Sequence, residues 1–319
     1  MISDGGRSGL RRRRSPPALL RILPFFLSAL FFLSAFFAIF SPLPILLLAF
    51  RDYLPKYRPL PWLALLTNAA LVYGVAGGAS LLIYAVFIAA PTLVLIEVLR
   101  RNQSIERAAV GALVAIVLAG AVALGGYSRV RRENPVAQIR QAMSSAIDQL
   151  AASLQQANSS KDSSEVLEPA DIEEWKQDAW VELPSAAAII ALVLVCVNLL
   201  LLVRMSPRDL RERLKIDSAY FLRWRAPDWL VWPTIASGVT VLFDLGLASE
   251  IGQNLFKFLM AIYALQGLSV MAFFFRYWKL ARLLQVVGYI VAILLVMPLL
   301  LSIGFFDLWF DFRAKFRQT

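Results

Sequence analysis

Histidine is absent from this chain of 319 residues, and cysteine occurs once. Without histidine the chain cannot build a Ser-His or Cys-His nucleophilic pair, a His-ligated zinc site or a His-ligated haem. A single cysteine also excludes an internal disulfide and a thiolate cluster. We therefore predict no metal site and no cofactor, and we interpret Cys196, in the middle of an apolar run, as a lipid-facing or helix-facing residue.

Charge is scarce as well. Charged residues make up 17% of the chain against 59% hydrophobic residues, and the mean hydropathy is +0.65. A soluble domain of this length could not bury so much apolar surface. Segments that span a bilayer must satisfy their own backbone hydrogen bonds, which favours helices. The composition thus predicts an all-α fold, a polytopic transmembrane helix bundle whose first partner is the lipid bilayer.

Catalytic motifs are missing too. The sequence contains no Gly-x-Gly-x-x-Gly pattern and no P-loop. Ser237-Gly238 has no histidine with which to form a Ser-His intramembrane protease. Asp244 stands in Leu-Phe-Asp-Leu-Gly, not in the Gly-x-Gly-Asp setting of intramembrane aspartyl proteases. We predict no catalytic residues and no enzymatic activity.

The charges that are present are mostly positive, with a net charge of +10. Most arginines stand at the ends of apolar runs, where the positive-inside rule explains them, so nucleic acid is not an expected partner. Residues 1–23 form a basic tail, with Arg11 to Arg14, ahead of an uncharged run that is too long for a signal peptide. We predict an uncleaved anchor behind a cytoplasmic N-terminus.

The N-terminal transmembrane half is assigned to residues 24–127. Its first apolar run contains Pro42 and Pro44, and each proline removes an amide donor and disfavours helix at the residue before it. This predicts a full helix over about 24–41 and a short helix over 43–50. The short helix either crosses the membrane or is re-entrant, and the sequence leaves both possibilities open.

The next apolar runs are 60–76, 79–99 and 108–127, and a glycine-rich stretch around Gly77 separates the first two. In the third run, small residues recur at four-residue spacing, which permits close approach of another helix. These residues are Gly111, Ala115, Ala119 and Ala123. The stripe is either a packing surface within the protein or a face for a partner protein.

Residues 128–183 are polar and differ in kind from the flanking runs. Apolar residues at three- and four-residue spacing predict an amphipathic helix over 135–156. A second helix is predicted to start at Pro169, because proline is favoured in the first helical turn. This extramembrane helical insert lies on lipid, packs on the bundle or meets other membrane proteins, and the sequence does not choose among these.

The C-terminal transmembrane half, with its aromatic and charged tail, covers 184–319. Its apolar runs are 184–203, 229–248, 255–275 and 283–303. With the N-terminal runs they give about eight membrane segments. The loop 204–227 carries seven lysines and arginines against three acids, which is the strongest cytoplasmic signal in the chain.

Charge alternation predicts which segments share a side of the membrane. The basic segments are 1–23, 51–58, 100–107, 204–227 and 276–282. The positive-inside rule places them in the cytoplasm and places 128–183 and 249–254 on the opposite side. Two clusters oppose this assignment, namely Arg129, Arg131 and Arg132 in the insert and Arg313, Lys315 and Arg317 in a tail that would also be external.

The C-terminal half carries a set of motifs that resembles a known family. The motifs are Pro184 with Asn198, Trp224-Arg-Ala-Pro-Asp-Trp-Leu-Val-Trp, Asn254-Leu with Tyr263 and Gln266-Gly267, and Gly304 with Asp307-Leu-Trp-Phe-Asp-Phe-Arg313. Together they resemble the YybS-like multi-pass bacterial membrane proteins, a family of poorly characterised function. The resemblance implies a bacterial cytoplasmic (inner) membrane and a distant likeness to the substrate-binding S-components of energy-coupling-factor transporters. Those proteins often carry an Ala-xxx-Ala docking motif on the first helix, which Ala29, Ala35 and Ala38 do not reproduce.

Five polar side chains inside the apolar runs are candidate substrate-binding residues. They are Asn68, Asn198, Asn254, Tyr263 and Gln266. Polar groups at membrane depth are expected to have a partner or a function. Amides in lipid commonly bridge helices through hydrogen bonds worth about 0.6–2 kcal/mol, and the same groups would line a cavity in a transporter.

Five charged residues are candidates for structural or coupling roles. They are Glu97, Asp244, Asp307, Asp311 and Arg313. We expect Glu97 to pair with a neighbouring arginine, and Asp307 or Asp311 to pair with an arginine of another element and so fix the last helix. The alternative for these two aspartates is a carboxylate pair that acts on a cation, a proton or an amine. Asp307 is expected near the external face with Asn254, and Gln266 deeper.

Two functions remain after these exclusions. The chain is a small-molecule transporter or substrate-binding membrane subunit, with the polar residues around a cavity between helices. Alternatively, it is a non-transporting scaffold or assembly subunit that binds other membrane proteins through the 128–183 insert or the small-residue stripe.

Overall fold

The computed structural model describes residues 23–51, 59–132, 134–159, 168–206, 208–214, 216–217 and 219–316. Within these segments every regular element is helical, which confirms the all-α fold. Most of the predicted basic tail, the cations of 52–58, and Arg317 lie outside the described residues.

The α-helices follow one another along the chain with short connections. They are α1 (Pro24–Leu33), α2 (Leu43–Arg51), α3 (Leu60–Tyr84), α4 (Ala90–Arg100), α5 (Ile105–Arg131), α6 (Pro135–Ser159), α7 (Pro169–Met205), α8 (Arg208–Arg213), α9 (Val231–Leu242), α10 (Leu247–Tyr277), α11 (Arg282–Leu294) and α12 (Met297–Phe310). A π-helical turn, Ala85–Ala89, joins α3 to α4, and 3-10 turns occur at Ala38–Phe40, Asp228–Leu230 and Ala314–Phe316.

Four helical stretches among the described residues are long and apolar enough to cross a bilayer. They are Leu60–Arg100, Ile105–Val130, Pro169–Met205 and Leu247–Tyr277. The pair α11 and α12, bent by 96°, makes a fifth if it counts as one span. The predicted number of about eight segments is not confirmed, because several of the predicted runs fold as shorter pieces.

The first apolar run breaks earlier than predicted. A helix was expected over 24–41, but α1 ends at Leu33. Ser34 provides the reason, since its hydroxyl donates to Phe31 O and accepts from Phe37 N–H, a local pattern that competes with helix. The following α2 lies in the core, where Ile45 and Leu46 are fully buried.

The stretch Leu60–Arg100 bends at the predicted glycine-rich break. Gly77 has φ 77° and ψ −173°, a conformation that glycine adopts without a steric penalty. Asn68 and Tyr84 lie on opposite sides of Gly77 and would be about 24 Å apart in a straight helix. Both nevertheless bond adjacent residues of α1, so the two arms of the bend face the same short helix.

The insert continues directly into the membrane part. Its second helix begins at Pro169, as predicted, and runs without interruption through Pro184 to Met205. The boundary proposed between 183 and 184 therefore falls inside one helix. Together, α6 and residues 169–183 form an antiparallel pair, which we call the hairpin. Lys176 bonds Asp148 at 2.8 Å within it, and the Arg140 guanidinium lies 5.4 Å from the centre of the Trp180 ring.

Two predicted spans of the C-terminal half are also shorter than expected. The run 229–248 contains only α9, because the chain turns at Asp244 and Gly246, which have φ of 43° and 60°. The run 283–303 is broken between α11 and α12. Pro298 explains this break, since its ring would clash with the preceding helical turn.

The bend between α11 and α12 returns the tail to the side of the basic loop. Arg313 bonds carbonyl groups of the loop 219–227, and the Phe316 ring packs on Phe274 and Tyr277 at the end of α10. We expected the tail on the side opposite to this loop, so that expectation is wrong. The correction places Arg313 with the other cations, in agreement with the positive-inside rule.

The buried apolar residues form two clusters. The larger cluster joins α1 to α5 with the C-terminal part of α7, and the smaller one joins α10 and α12 with the loop before α9. The stripe of Gly111, Ala115, Ala119 and Ala123 is half-buried, and a Cβ on Gly111 would lie 3.1 Å from Val94 Cγ1. At Gly111 the stripe therefore packs against α4.

The closest helix crossing in the smaller cluster depends on Gly267 and Gly304. A Cβ on Gly304 would overlap Tyr263 O, and a Cβ on Gly267 would overlap Leu300 O. Both obstacles are main-chain atoms, which cannot move aside without moving a helix. The absence of side chains at these two positions thus lets α10 and α12 approach closely.

We expect Gly304→Ala to lower the free energy of unfolding by about 1–3 kcal/mol, because the new methyl group must push α12 away from α10. The matched control is Gly125→Ala in α5, where nothing lies within 4 Å of the added Cβ. The control should be neutral or slightly stabilising, since alanine favours helix. Thermal unfolding in detergent measures both, and equal shifts for the two variants would contradict the close crossing.

Candidate functional site

The four candidate amides all bond main-chain groups of another segment. We call Asn68, Asn198, Asn254 and Gln266 the amide clips. Asn198 reaches a 3-10 turn, and Gln266 reaches the loop before α9. Asn68 and Asn254 reach residues within α1 and α7. Main-chain groups outside regular helix need a partner from the protein, since lipid offers no hydrogen bonds.

Asn254 bridges α7 at its internal proline. Its Oδ1 accepts from Ser185 N–H at 2.9 Å, and its Nδ2 donates to Val181 O at 2.8 Å. In a regular helix these two main-chain groups bond each other. Pro184 lies between them inside the helix, where its ring and its missing N–H disfavour regular helical bonds. The Asn254 amide therefore ties α10 to α7 at the turn that contains the proline.

Asn68 holds α1 against α3. It is fully buried, its Oδ1 accepts from Ala29 N–H at 2.6 Å, and its Nδ2 donates to Pro24 O at 3.3 Å. The same Nδ2 also reaches Ala64 O of its own helix at 2.7 Å. All of these partners are main-chain atoms, so Asn68 connects helices without presenting a free donor to a ligand.

Asn198 fixes the 3-10 turn that follows α1. Its Nδ2 donates to Ile39 O and to Leu194 O, both at 2.7 Å. Its Oδ1 is buried and has no hydrogen-bond partner among the described residues. The turn thereby packs on the apolar face of α7.

Gln266 joins α10 to both the basic loop and the tail. Its Oε1 accepts from Ala226 N–H at 3.0 Å, and its Nε2 donates to Asp307 Oδ2 at 2.9 Å. Ala226 stands just before Pro227, where the chain enters α9. Gln266 is fully buried, so both bonds are formed away from solvent.

Asp307 and Arg313 form a fully buried ion pair, with 2.6 Å between Asp307 Oδ2 and Arg313 Nη2. Arg313 Nη1 donates to Leu222 O at 3.0 Å, to Trp224 O at 3.1 Å and to Ser269 Oγ at 3.1 Å. We call Gln266, Ser269, Asp307 and Arg313 the clasp. It connects α10, α12, the tail and the basic loop through one set of hydrogen bonds.

The partners inside the clasp differ in part from those expected. Asp307 pairs with Arg313 of its own tail, whereas an arginine of another element was predicted. The predicted depth of Asp307 is wrong, since it bonds Gln266 and lies beside the basic loop rather than near Asn254. The cause is the bend before α12, which turns this helix back toward α10.

Asp311 forms the predicted ion pair with an arginine of another element, the basic loop. Arg225 Nη1 lies 3.6 Å from Asp311 Oδ2, and Arg225 Nη2 donates to Leu308 O at 3.1 Å. Both side chains are about one-third exposed, so the pair contributes at most about 1 kcal/mol. Both carboxylate oxygens of Asp307 already have partners, Oδ1 with Phe312 N–H and Oδ2 with Gln266 and Arg313.

The two remaining charged candidates lie on the surface. Glu97 forms the expected pair with Arg101, at 2.7 Å, and both side chains are exposed. Asp244 is exposed in the turn between α9 and α10, where it adopts a left-handed conformation. Neither residue contacts an amide clip or the clasp.

Tyr263 is the fifth candidate substrate-binding residue. It is fully buried, its ring meets Phe305 edge-on at 5.1 Å, and its hydroxyl faces Thr234 without completing a hydrogen bond. The five candidates are thus distributed between the two clusters and bond different segments. Two depressions on the described surface lie elsewhere, one in the hairpin and one beside the end of α10.

Several structural partners were missed in the sequence. Ser28 Oγ lies 3.0 Å from Ser41 Oγ and 2.9 Å from Tyr84 OH, which links α1 to the far arm of the bend. Ser269 and Arg225 support the clasp and were not singled out. The available signal was a small polar residue within an apolar run, which is common and indicates no particular partner.

The basic loop is also attached to α5. Tyr220 donates a hydrogen bond to Glu106 Oε1, next to the first turn of that helix. Burial, together with the bonded carboxylate, raises the pKa of Tyr220 above its usual range. The phenol therefore stays protonated at neutral pH and keeps the bond.

Metal ligands do not converge in the described part of the chain. No group of three or more His, Cys, Asp or Glu side chains lies close enough there to hold an ion. The polar arrangement is thus one of amides and one ion pair directed at main-chain atoms, which is suited to joining segments.

Comparison with known proteins gives a match to a protein family. The model of a family described as "Predicted membrane protein (DUF2232)" matches residues 18–308. No curated protein matches the chain, and no solved structure does.

We expect Asn254→Ala to lower the free energy of unfolding by about 1–3 kcal/mol, because it leaves Val181 O and Ser185 N–H without the side chain that bonds them. In a Pro184→Ala background the same substitution should cost clearly less, since alanine removes the ring that disfavours a regular turn and the two groups can then bond each other. A double-mutant cycle measured by unfolding in mixed detergent micelles tests this. Additive effects would show that Asn254 acts independently of the proline.

The buried ion pair of the clasp should be sensitive to the loss of either partner. Asp307→Asn and Arg313→Met should each destabilise the protein by about 3–5 kcal/mol, because each leaves a buried charge without its partner. The double variant should cost less than the sum of the two. Asp311→Asn in the same tail is the matched control and should cost less than about 1 kcal/mol, since its pair is partly exposed. An equally large loss in the control would argue against a special role for the buried pair.

Proposed function

The chain belongs to the DUF2232 family of predicted membrane proteins, and within it we propose a non-transporting scaffold or assembly subunit that binds another protein through its hairpin. In this role the chain catalyses no reaction. The membrane helices anchor the protein, and the hairpin binds the partner.

The amide clips support an anchoring role for the membrane part. Three of them are fully buried, and all four bond main-chain atoms of neighbouring segments. Broken helices line substrate cavities in many transporters. Here the side chains that would line such a cavity bond main-chain atoms of other segments, which leaves few donors for a substrate.

One observation carries the binding role, namely the exposure of Leu150 and Leu154 on the hairpin. Their exposed fractions are 54% and 40%. Residues 169–183 extend about 20 Å beyond the start of the uncharged run at Pro184. Because Asp148 pairs with Lys176, Leu150 and Leu154 lie toward the far end of this extension. At such a distance from the membrane core, lipid tails cannot cover them.

The other exposed apolar residues of α6 are placed differently. Val136 and Ile139 precede Arg140, which contacts Trp180 close to the membrane end of the hairpin. There the interfacial region of the bilayer accommodates apolar and aromatic side chains. The far leucines thus mark the surface that suits a protein partner.

We also propose a location in the bacterial cytoplasmic membrane, with the N-terminus, the basic loop and the tail in the cytoplasm and the hairpin outside. The return of Arg313 to the basic loop supports this arrangement, because it removes one of the two conflicts with the positive-inside rule.

The test is the mass of the full-length protein extracted in mild detergent. Leu150→Ser with Leu154→Ser should dissociate a larger assembly and weaken it at least about 100-fold, since burial of each leucine contributes about 1.5–3 kcal/mol. Val136→Ser with Ile139→Ser makes the same change on the same helix and should leave the assembly intact. A wild-type protein that extracts alone, or a substrate-dependent flux in vesicles that Gln266→Ala abolishes, would favour the transporter instead.

A further inference from the structure

A basic depression lies where α10 ends and α11 begins, on the side of the basic loop. Its volume is about 370 Å³, and its lining includes Phe275, Arg276, Lys279, Leu280 and Tyr289. The α10 helix is one of the four candidate spans, so its C-terminal end stands at a membrane surface. The depression is therefore within reach of lipid headgroups.

The charge around this depression is of one sign. No acidic residue occurs between Glu250 and Asp307 in the sequence. Lys279 and Arg282 are exposed, and neither side chain forms an ion pair with a described residue. The first turn of α11 contains no acid and no side-chain cap, so its main-chain N–H groups add to the positive potential.

The walls of the depression are apolar and aromatic. The Phe275 ring covers Gly288, where a Cβ would overlap it, and meets Tyr289 at 5.2 Å. The hydroxyl of Tyr289 bonds no described residue. Outside the depression, Trp278 and Leu283 are 60% and 75% exposed, which continues the apolar surface toward lipid.

We propose that this depression binds the phosphate headgroup of an anionic phospholipid. Lys279, Arg282 and Arg276 attract the phosphate, and the Tyr289 hydroxyl donates to one of its oxygens. Basic pockets between membrane helices are suited to such headgroups. The exposed Trp278 and Leu283 contact the acyl chains, which a free phosphate ion lacks. This site is separate from the hairpin and does not depend on its proposed function.

The test is native mass spectrometry of the full-length protein titrated with a phosphatidylglycerol and, separately, with a phosphatidylcholine of the same chains. Wild-type protein should retain the anionic lipid preferentially. Lys279→Gln with Arg282→Gln should weaken this binding about 30-fold, because each cation near an anionic lipid surface contributes roughly fivefold. Lys279→Arg with Arg282→Lys keeps the charge and should retain the preference.

Arg129→Gln with Arg132→Gln is the matched control, since it removes the same charge from exposed positions near the hairpin. It should leave the preference unchanged. Equal retention of the two lipids by the wild type, or equal losses in the test and control variants, would overturn the proposal. Displacement of the lipid by millimolar inorganic phosphate would also overturn it, because the site would then recognise a free anion.

Discussion

Within a bilayer, each main-chain N–H and C=O group must find a partner in the protein, and this requirement governs the present fold. The chain ends or bends its helices at Ser34, Gly77 and Pro298, and it carries Pro184 inside a continuous helix. At Pro184 an amide side chain from another helix adds bonds to the main chain. Asn254 bonds Ser185 N–H and Val181 O, two groups that stand one helical turn apart.

The clasp extends the same principle to a charge. Arg313 is fully buried, which is costly for a charged side chain. Burial is tolerated because Asp307 neutralises the charge and carbonyl groups of the basic loop accept hydrogen bonds from the guanidinium. These bonds also determine on which side of the protein Arg313 lies. By tying it to the loop before α9, they place it at the same end as the basic depression beside α10.

The ends of the bundle therefore differ in character. One end collects cations, aromatic side chains and a depression suited to an acidic lipid, and the other continues into the hairpin with its exposed leucines. The middle is occupied by segments that are tied to one another. The protein is thus divided into a membrane base and a projecting arm, an arrangement that is compatible with the proposed scaffold role.

The sequence by itself determined the helical class, the membrane setting, the start of the second insert helix and the polar positions that form the amide clips. These follow from composition and local pattern, since proline, glycine and apolar periodicity act on the neighbouring turns. Only the tertiary structure decided what the polar groups bond and on which side the tail lies. The pairing of Gln266 with Asp307 depends on two glycines that admit a close crossing and on a bend at Pro298. Such contacts join residues far apart in the chain, and no local pattern specifies them.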